Sequence, residues 1–272
     1  AGAGIQNAAL SAGGANASPY HSNAVNLSEE YNGTSWTEGN NLITARVALT
    51  GVGTQNGALF YGGWNTSTVT EEYNGTSYAT GGTLSQGGYA KIGFGIQNAA
   101  FSTAGTISDY NGVRTASEQY DGASWSNSVP MITPRFYGGA GSVNAGIKSY
   151  GFRNLTYPTI NCTELWNGTT WSETSEAVIS GQGGIEYGTQ NAFAITAGSG
   201  TSPAPGTRTT TQFFDGTAYS LDGDLNTLGM GAGAKASQDA GLVFGGNNPG
   251  VIANTEEYHA YYTTGSFGRV EA

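Results

Sequence analysis

The chain has 272 residues, 45 of them glycine, a formal net charge of −10 and only 10% charged residues. Its three Lys and six Arg form no cluster able to displace counterions from phosphates, which argues against nucleic acid and anionic membrane as partners. No apolar run approaches the about 18 residues of a membrane-crossing helix, and the single Cys162 allows no intrachain disulfide.

The chain opens on Ala1-Gly2-Ala3-Gly4, and Ala1 to Asn7 align with Thr50 to Asn56 of the next unit. The first unit therefore lacks the front of its leading strand, and the sequence reads as a piece of a longer polypeptide. The second unit shows the plan most clearly. Arg46 to Gly53 reads as an innermost strand whose small residues recur two apart, on one face, as Gly51/Gly53. Thr54-Gln55-Asn56 turns the chain, and Ala58 to Tyr61 forms a second strand ending at Gly62-Gly63. Val69 to Tyr73 forms the third strand, and Asn74-Gly75 the hairpin turn to the fourth, because a type I′ turn needs two positive φ angles.

The remaining units repeat this plan at offsets of 42 to 49 residues. Asn7, Asn56, Asn98, Asn144, Asn191 and Asp239 each stand seven residues before a glycine: Gly14, Gly63, Gly105, Gly151, Gly198 and Gly246. A second column reads Tyr31, Tyr73, Tyr120, Trp166, Phe214 and Tyr258, and five of these have an aromatic five residues on: Trp36, Tyr78, Trp125, Trp171 and Tyr219. These rings are expected between neighbouring blades. In the last unit His259 to Gly265 replaces the Asn-Gly turn. The period predicts an all-β, six-bladed β-propeller with four antiparallel strands per blade. Blade limits fall at about 1–40, 41–83, 84–131, 132–177, 178–224 and 225–268 of one domain.

The Gly-Gly, Tyr and Trp columns resemble the kelch repeat. The phrases Thr70 to Ser77, and Thr44-Ala45-Arg46 leading to Gly51 to Asn56, are similar to tandem kelch-like repeats in structural proteins of marine tailed bacteriophages. That resemblance implies a virion fibre, spike or capsid-decoration module at the virion surface, partnered by other virion proteins or a host-surface glycan and present in several copies per particle.

No catalytic set emerges, so the chain is read as non-enzymatic and without cofactor or metal. Kelch-like propellers include a copper radical oxidase that uses two His, a Tyr and a Cys-linked Tyr. Here His21 is placed in a loop of the first unit, His259 in a hairpin turn of the sixth on the opposite face, and Cys162 in the fourth unit. Glu29-Glu30, Glu71-Glu72, Glu256-Glu257, Glu118 and Glu164 recur with the blade, as a structural ladder does, whereas a glycosidase pair is unique. Asp222 to Asn226 resembles the start of an acidic ion loop but lacks its later Glu.

Variation concentrates in the connections between second and third strands, from 64–68 to the long stretches 15–28 and 199–210. These loops supply the candidate binding residues Tyr20, His21, Trp64, Tyr110, Arg114, Arg153, Tyr157 and Arg208, whose rings and cations suit protein contacts or sugar stacking. A secreted carbohydrate-active propeller and an intracellular kelch-type scaffold remain the alternatives.

Overall fold

A computed structural model describes residues 1–19, 21–65, 67–107, 112–153, 159–200, 206–227, 230–247, 252–261 and 264–270; side chains at 207, 230–232, 234–236, 247, 260–261 and 264–270 are outside the description. All described secondary structure is β. Blade one comprises β1 (Gly2–Ile5), β2 (Ala8–Ala15), β3 (Ala24–Tyr31) and β4 (Trp36–Glu38). Blade two comprises β5 (Thr50–Thr54), β6 (Gly57–Tyr61), β7 (Thr70–Tyr73) and β8 (Tyr78–Thr80). Blade three comprises β9 (Ile92–Ile96), β10 (Ala99–Thr103), β11 (Ser117–Tyr120) and β12 (Trp125–Ser128). Blade four comprises β13 (Ala140–Ser142), β14 (Ala145–Gly151), β15 (Ile160–Trp166) and β16 (Trp171–Thr174).

Blade five comprises β17 (Ile185–Thr189), β18 (Ala192–Thr196), β21 (Thr211–Phe214) and β22 (Tyr219–Asp222), with the two-stranded ribbon β19 (Ser199–Gly200) and β20 (Gly206–Thr207) in its loop. A last four-stranded sheet follows: β23 (Met230–Ser237), β24 (Ala240–Asn247), β25 (Thr255–Tyr261) and β26 (Thr264–Val270). Every sheet is antiparallel, and the inner strands neighbour one another in the order β1, β5, β9, β13, β17, β23 and back to β1.

The expected six-bladed propeller needs correction: the count is five blades, not six, since five sheets carry the blade repeat in full. In each of the five, an Asn or Asp (Asn32, Asn74, Asp121, Asn167, Asp215) accepts the N–H groups two and three residues on, closing the outer hairpin. The same five stack their aromatic pairs, Tyr31–Trp36, Tyr73–Tyr78, Tyr120–Trp125, Trp166–Trp171 and Phe214–Tyr219, at 4.6–5.5 Å. Among the described residues the sheet β23–β26 shows neither device. Its strands run seven or eight residues, and its inner pair shifts register twice.

Further corrections are local. The innermost strand starts at Thr50, so Arg46 lies before it, and His259 sits within β25 opposite Ala240 and Ser266, not in a turn. The first 2–3 loop is shorter than the expected 15–28, because β2 and β3 extend to Ala15 and Ala24.

Glycine invariance at the end of each second strand has a backbone cause. Gly13, Gly62, Ala104, Tyr150, Ala197 and Gly245 have φ of 55–68°, the left-handed well that an L residue enters at a cost of about 1–2 kcal/mol. The following residues, Gly14, Gly63, Gly105, Gly151, Gly198 and Gly246, have φ of 89–136°, where a Cβ is not tolerated. Only the second position is glycine throughout.

Blades are joined by side chains reaching backward. Gln55 donates to the carbonyls of Ala9 and Tyr31, Gln97 to Ala58 and Tyr73, Gln190 to Gly146 and Trp166, and Gln238 to Phe193 and Phe214. Gln6 does the same to Gly241 and Tyr258, so one residue type links both the successive blades and the first blade to the last sheet. Val143 takes the Gln position in blade four, and its carbonyl accepts from Trp166 Nε1 of the same blade.

A second ladder joins phenols to carboxylates. Tyr73 donates to Glu30, Tyr120 to Glu72 and Tyr31 to Glu257, each in the preceding sheet. Where the next blade presents Trp166 or Phe214, which have no hydroxyl, the Glu position holds Gln119 or Leu165.

Candidate functional site

The hairpin face, with its short Asx-closed turns, contrasts with the face built from 2–3 loops and the connections between blades. The recurrent carboxylates serve that second face as clamps. Glu71 accepts from the Ile43 and Thr44 N–H groups at 2.7 and 3.2 Å and from Arg46 Nη2 at 3.0 Å. Glu164 accepts from Ile132 and Thr133 N–H at 2.8 and 2.9 Å and pairs with Arg135. Glu256 accepts from Asn226 and Thr227 N–H, and Glu118 from the Ser85 N–H and hydroxyl. Each carboxylate thus holds the connection entering its own blade. Among the described residues Ser85 adds its hydroxyl to one of these clamps; backbone N–H groups do most of the work.

At the axis of this face lies a depression of about 340 Å³, lined among others by Ala48, Thr50, Lys91, Tyr137, Gly139 and Glu186. Ala48, Ala90 and Tyr137 on its rim have φ of 55°, 50° and 71°, and their backbones bond in sequence, Ala90 N–H to Ala48 and Tyr137 N–H to Ala90. Left-handed non-glycine residues in a row mark a locally strained rim, of the kind found at ligand sites.

Glu186 on its wall pairs with the fully buried Lys148 and accepts from Gly139 N–H at 2.8 Å. Burial outweighs the pairing: it pushes Glu186 up and Lys148 down to about 8. Lys91, 6% exposed, is also lowered to about 8 by burial, against the opposing pull of Glu118.

Towards the outer edge of blades one and two, His21 and Trp64 stack with centroids 3.4 Å apart at 9°. They border a cavity of about 540 Å³ whose lining includes Thr44, Arg46 and Asn65. Trp64 continues into Tyr89 at 4.5 Å, and the same apolar cluster holds Phe136 and Phe152, themselves 5.2 Å apart.

Of the residues expected to bind, His21 and Trp64 are brought together. Arg114 is held by Gln86 at 2.9 Å, Arg153 is exposed, and the guanidinium of Arg208 packs over Gly200 of the ribbon. Tyr20, Tyr110 and Tyr157 lie outside the described residues. The Asp222 to Asn226 segment is not gathered around an ion: Asp222 accepts from Tyr258 and Gly223, and Asp224 from Thr209. Among the described residues no group of His, Cys, Asp and Glu is arranged to hold a metal.

Sequence reasoning missed Lys91, Tyr89, Phe136, Tyr137 and the buried pairs of Arg46 and Arg135. The two arginines carried a signal, since each stands three residues after an Ile whose N–H the clamp carboxylate accepts. Lys91 carried one as well, as a lone cation at the mouth of a glycine-rich strand.

The fold is similar to that of YjhT. That solved structure superposes with a TM-score of 0.75 over 98% of this chain and 96% of its own, at 11% identity. This likeness shows a β-propeller with repeated blades and nothing about activity, and 171 solved chains match in the same way. No protein-family model and no curated protein matches the sequence.

Proposed function

We propose that this propeller is a non-enzymatic recognition module that uses its 2–3 loop face to grip a host-surface glycan. The observation that carries the reading is the His21–Trp64 stack beside an Arg46-floored cavity, at the junction of two blades. A flat ring beside polar groups suits the apolar face and hydroxyls of a sugar. The described clamp carboxylates Glu71, Glu164 and Glu256 are each saturated by donors from their own blade, which suits scaffolding and not proton transfer. Placement at a virion surface, as a fibre, spike or decoration domain, rests on the resemblance of the repeat phrases to marine phage structural proteins. A shallow site of this kind is weak alone, and several copies on one particle raise avidity by about 10²–10⁴ without new contacts.

The test is the double variant His21→Ala, Trp64→Ala, compared with the parent protein in glycan-array and cell-attachment assays. Retained folding with lost attachment is the expected result. Unchanged attachment by the folded variant overturns the reading.

A further inference from the structure

A second site lies at the axis, away from the His21–Trp64 edge. Lys91 precedes β9 and lines the axial depression, nine-tenths buried. Its ammonium makes no hydrogen bond or ion pair with any described residue. An ammonium in that state is costly, and proteins remove the cost by neutralising it or by giving it an acceptor.

No neighbour supplies the acceptor. Glu186, on the same lining, pairs with Lys148 and accepts from Gly139 N–H, and Glu118 Oε1 accepts from Ser85; neither is hydrogen-bonded to Lys91. Arg114, the other charge acting on Lys91, is repulsive. The rest of the wall is short: Gly51, Gly138, Gly139, Gly183 and Gly184 leave the backbone bare, and Leu49 and Ile185 add apolar surface.

We propose that this axial depression is a binding site for a small carboxylate-bearing molecule, with Lys91 as its charge anchor. The volume of about 340 Å³ admits a ligand of monosaccharide size. One ammonium and one carboxylate on the same lining favour a monoanion over a phosphate dianion. A chain of net charge −10 adds to that bias. The contact is a charge-assisted hydrogen bond in a partly desolvated site, the stronger kind.

The probes are glucuronate, acetate and neutral glucose, titrated into isotope-labelled protein and followed by backbone amide shifts. Glucuronate and acetate are expected to move the amides of Gly139, Gly183 and Gly184, and glucose to leave them in place. Replacing Lys91→Met should weaken glucuronate by about tenfold or more, while Lys91→Arg retains binding. Lys91→Met should melt no lower than the parent, since it removes an unpaired buried charge.

Equal shifts with glucose and glucuronate, no axial shift with any carboxylate, or unchanged glucuronate affinity in Lys91→Met would each overturn the assignment. If Lys91→Met does not fold, the comparison of probes on the parent protein decides alone. Failure here leaves the His21–Trp64 reading standing, because those residues are untouched.

Discussion

The clamp of blade two offers the sharpest test of how the connections are held. Glu71 and Arg46 are 1% and 3% exposed at the side chain, and the carboxylate also accepts two backbone N–H groups. Glu71→Gln keeps the shape and one oxygen, but turns an amide N–H₂ towards Arg46 and the Thr44 N–H, donor against donor. An uncompensated buried charge costs about 3–5 kcal/mol, so the variant should melt about 6–20 °C lower for a domain of this size.

Arg46→Met alone should also destabilise, because Nη1 donates to the Gly62 and Val69 carbonyls. The double variant should be milder than the sum of the two by about 2 kcal/mol. Blade five supplies the precedent: Gln212 takes the Glu position there and exchanges hydrogen bonds with the backbone of Ile179, and Gly181 stands where the arginine would. Urea unfolding of the four proteins gives the cycle. A loss below about 1 kcal/mol for Glu71→Gln, or strict additivity, would show that the pair is not a buried, coupled clamp.

Other outcomes follow from the same contacts. Gln55→Ala frees the carbonyls of Ala9 and Tyr31 between blades and should cost about 1–3 kcal/mol, read by the denaturation midpoint. Gly14→Ala and Gly245→Ala both place a Cβ where nothing lies closer than 3.9 Å, yet their φ values are 114° and 61°. Backbone strain then predicts about 1 kcal/mol for Gly245→Ala and about 2–3 kcal/mol for Gly14→Ala, and equal losses would refute the account of the invariant glycine.

The architecture was legible because its causes are local and repeated. A glycine forced by φ near 100°, an Asx-closed hairpin and a ring pair per blade leave marks in every unit, so four-stranded blades in a propeller could be read from spacing alone. Equivalence of the units could not. The last sheet keeps Gln238 and Tyr258, which bond to its neighbours, and pairs its outer strands without the Asn-Gly or Asp-Gly turn, a departure the sequence does show from His259 to Gly265.

The functional face was the harder part for a related reason. Loop residues carry no period, so their partners are set by which connections the ring brings together: His21 from one blade meets Trp64 from the next across 43 positions of sequence. Glu30, Glu72 and Glu257 show the reverse case. Each stands before a blade that presents a tyrosine, and Gln119 and Leu165 stand before Trp166 and Phe214; Phe213 before Tyr258 is the exception, with Asp222 accepting from that phenol. Lys91 has no such counterpart in its column, where Leu49 and Gly184 stand in other blades. An unrepeated cation on a repeated scaffold contributes nothing to the ring that the other units do not manage without it, and that leaves the axial depression as the place where its charge has a use.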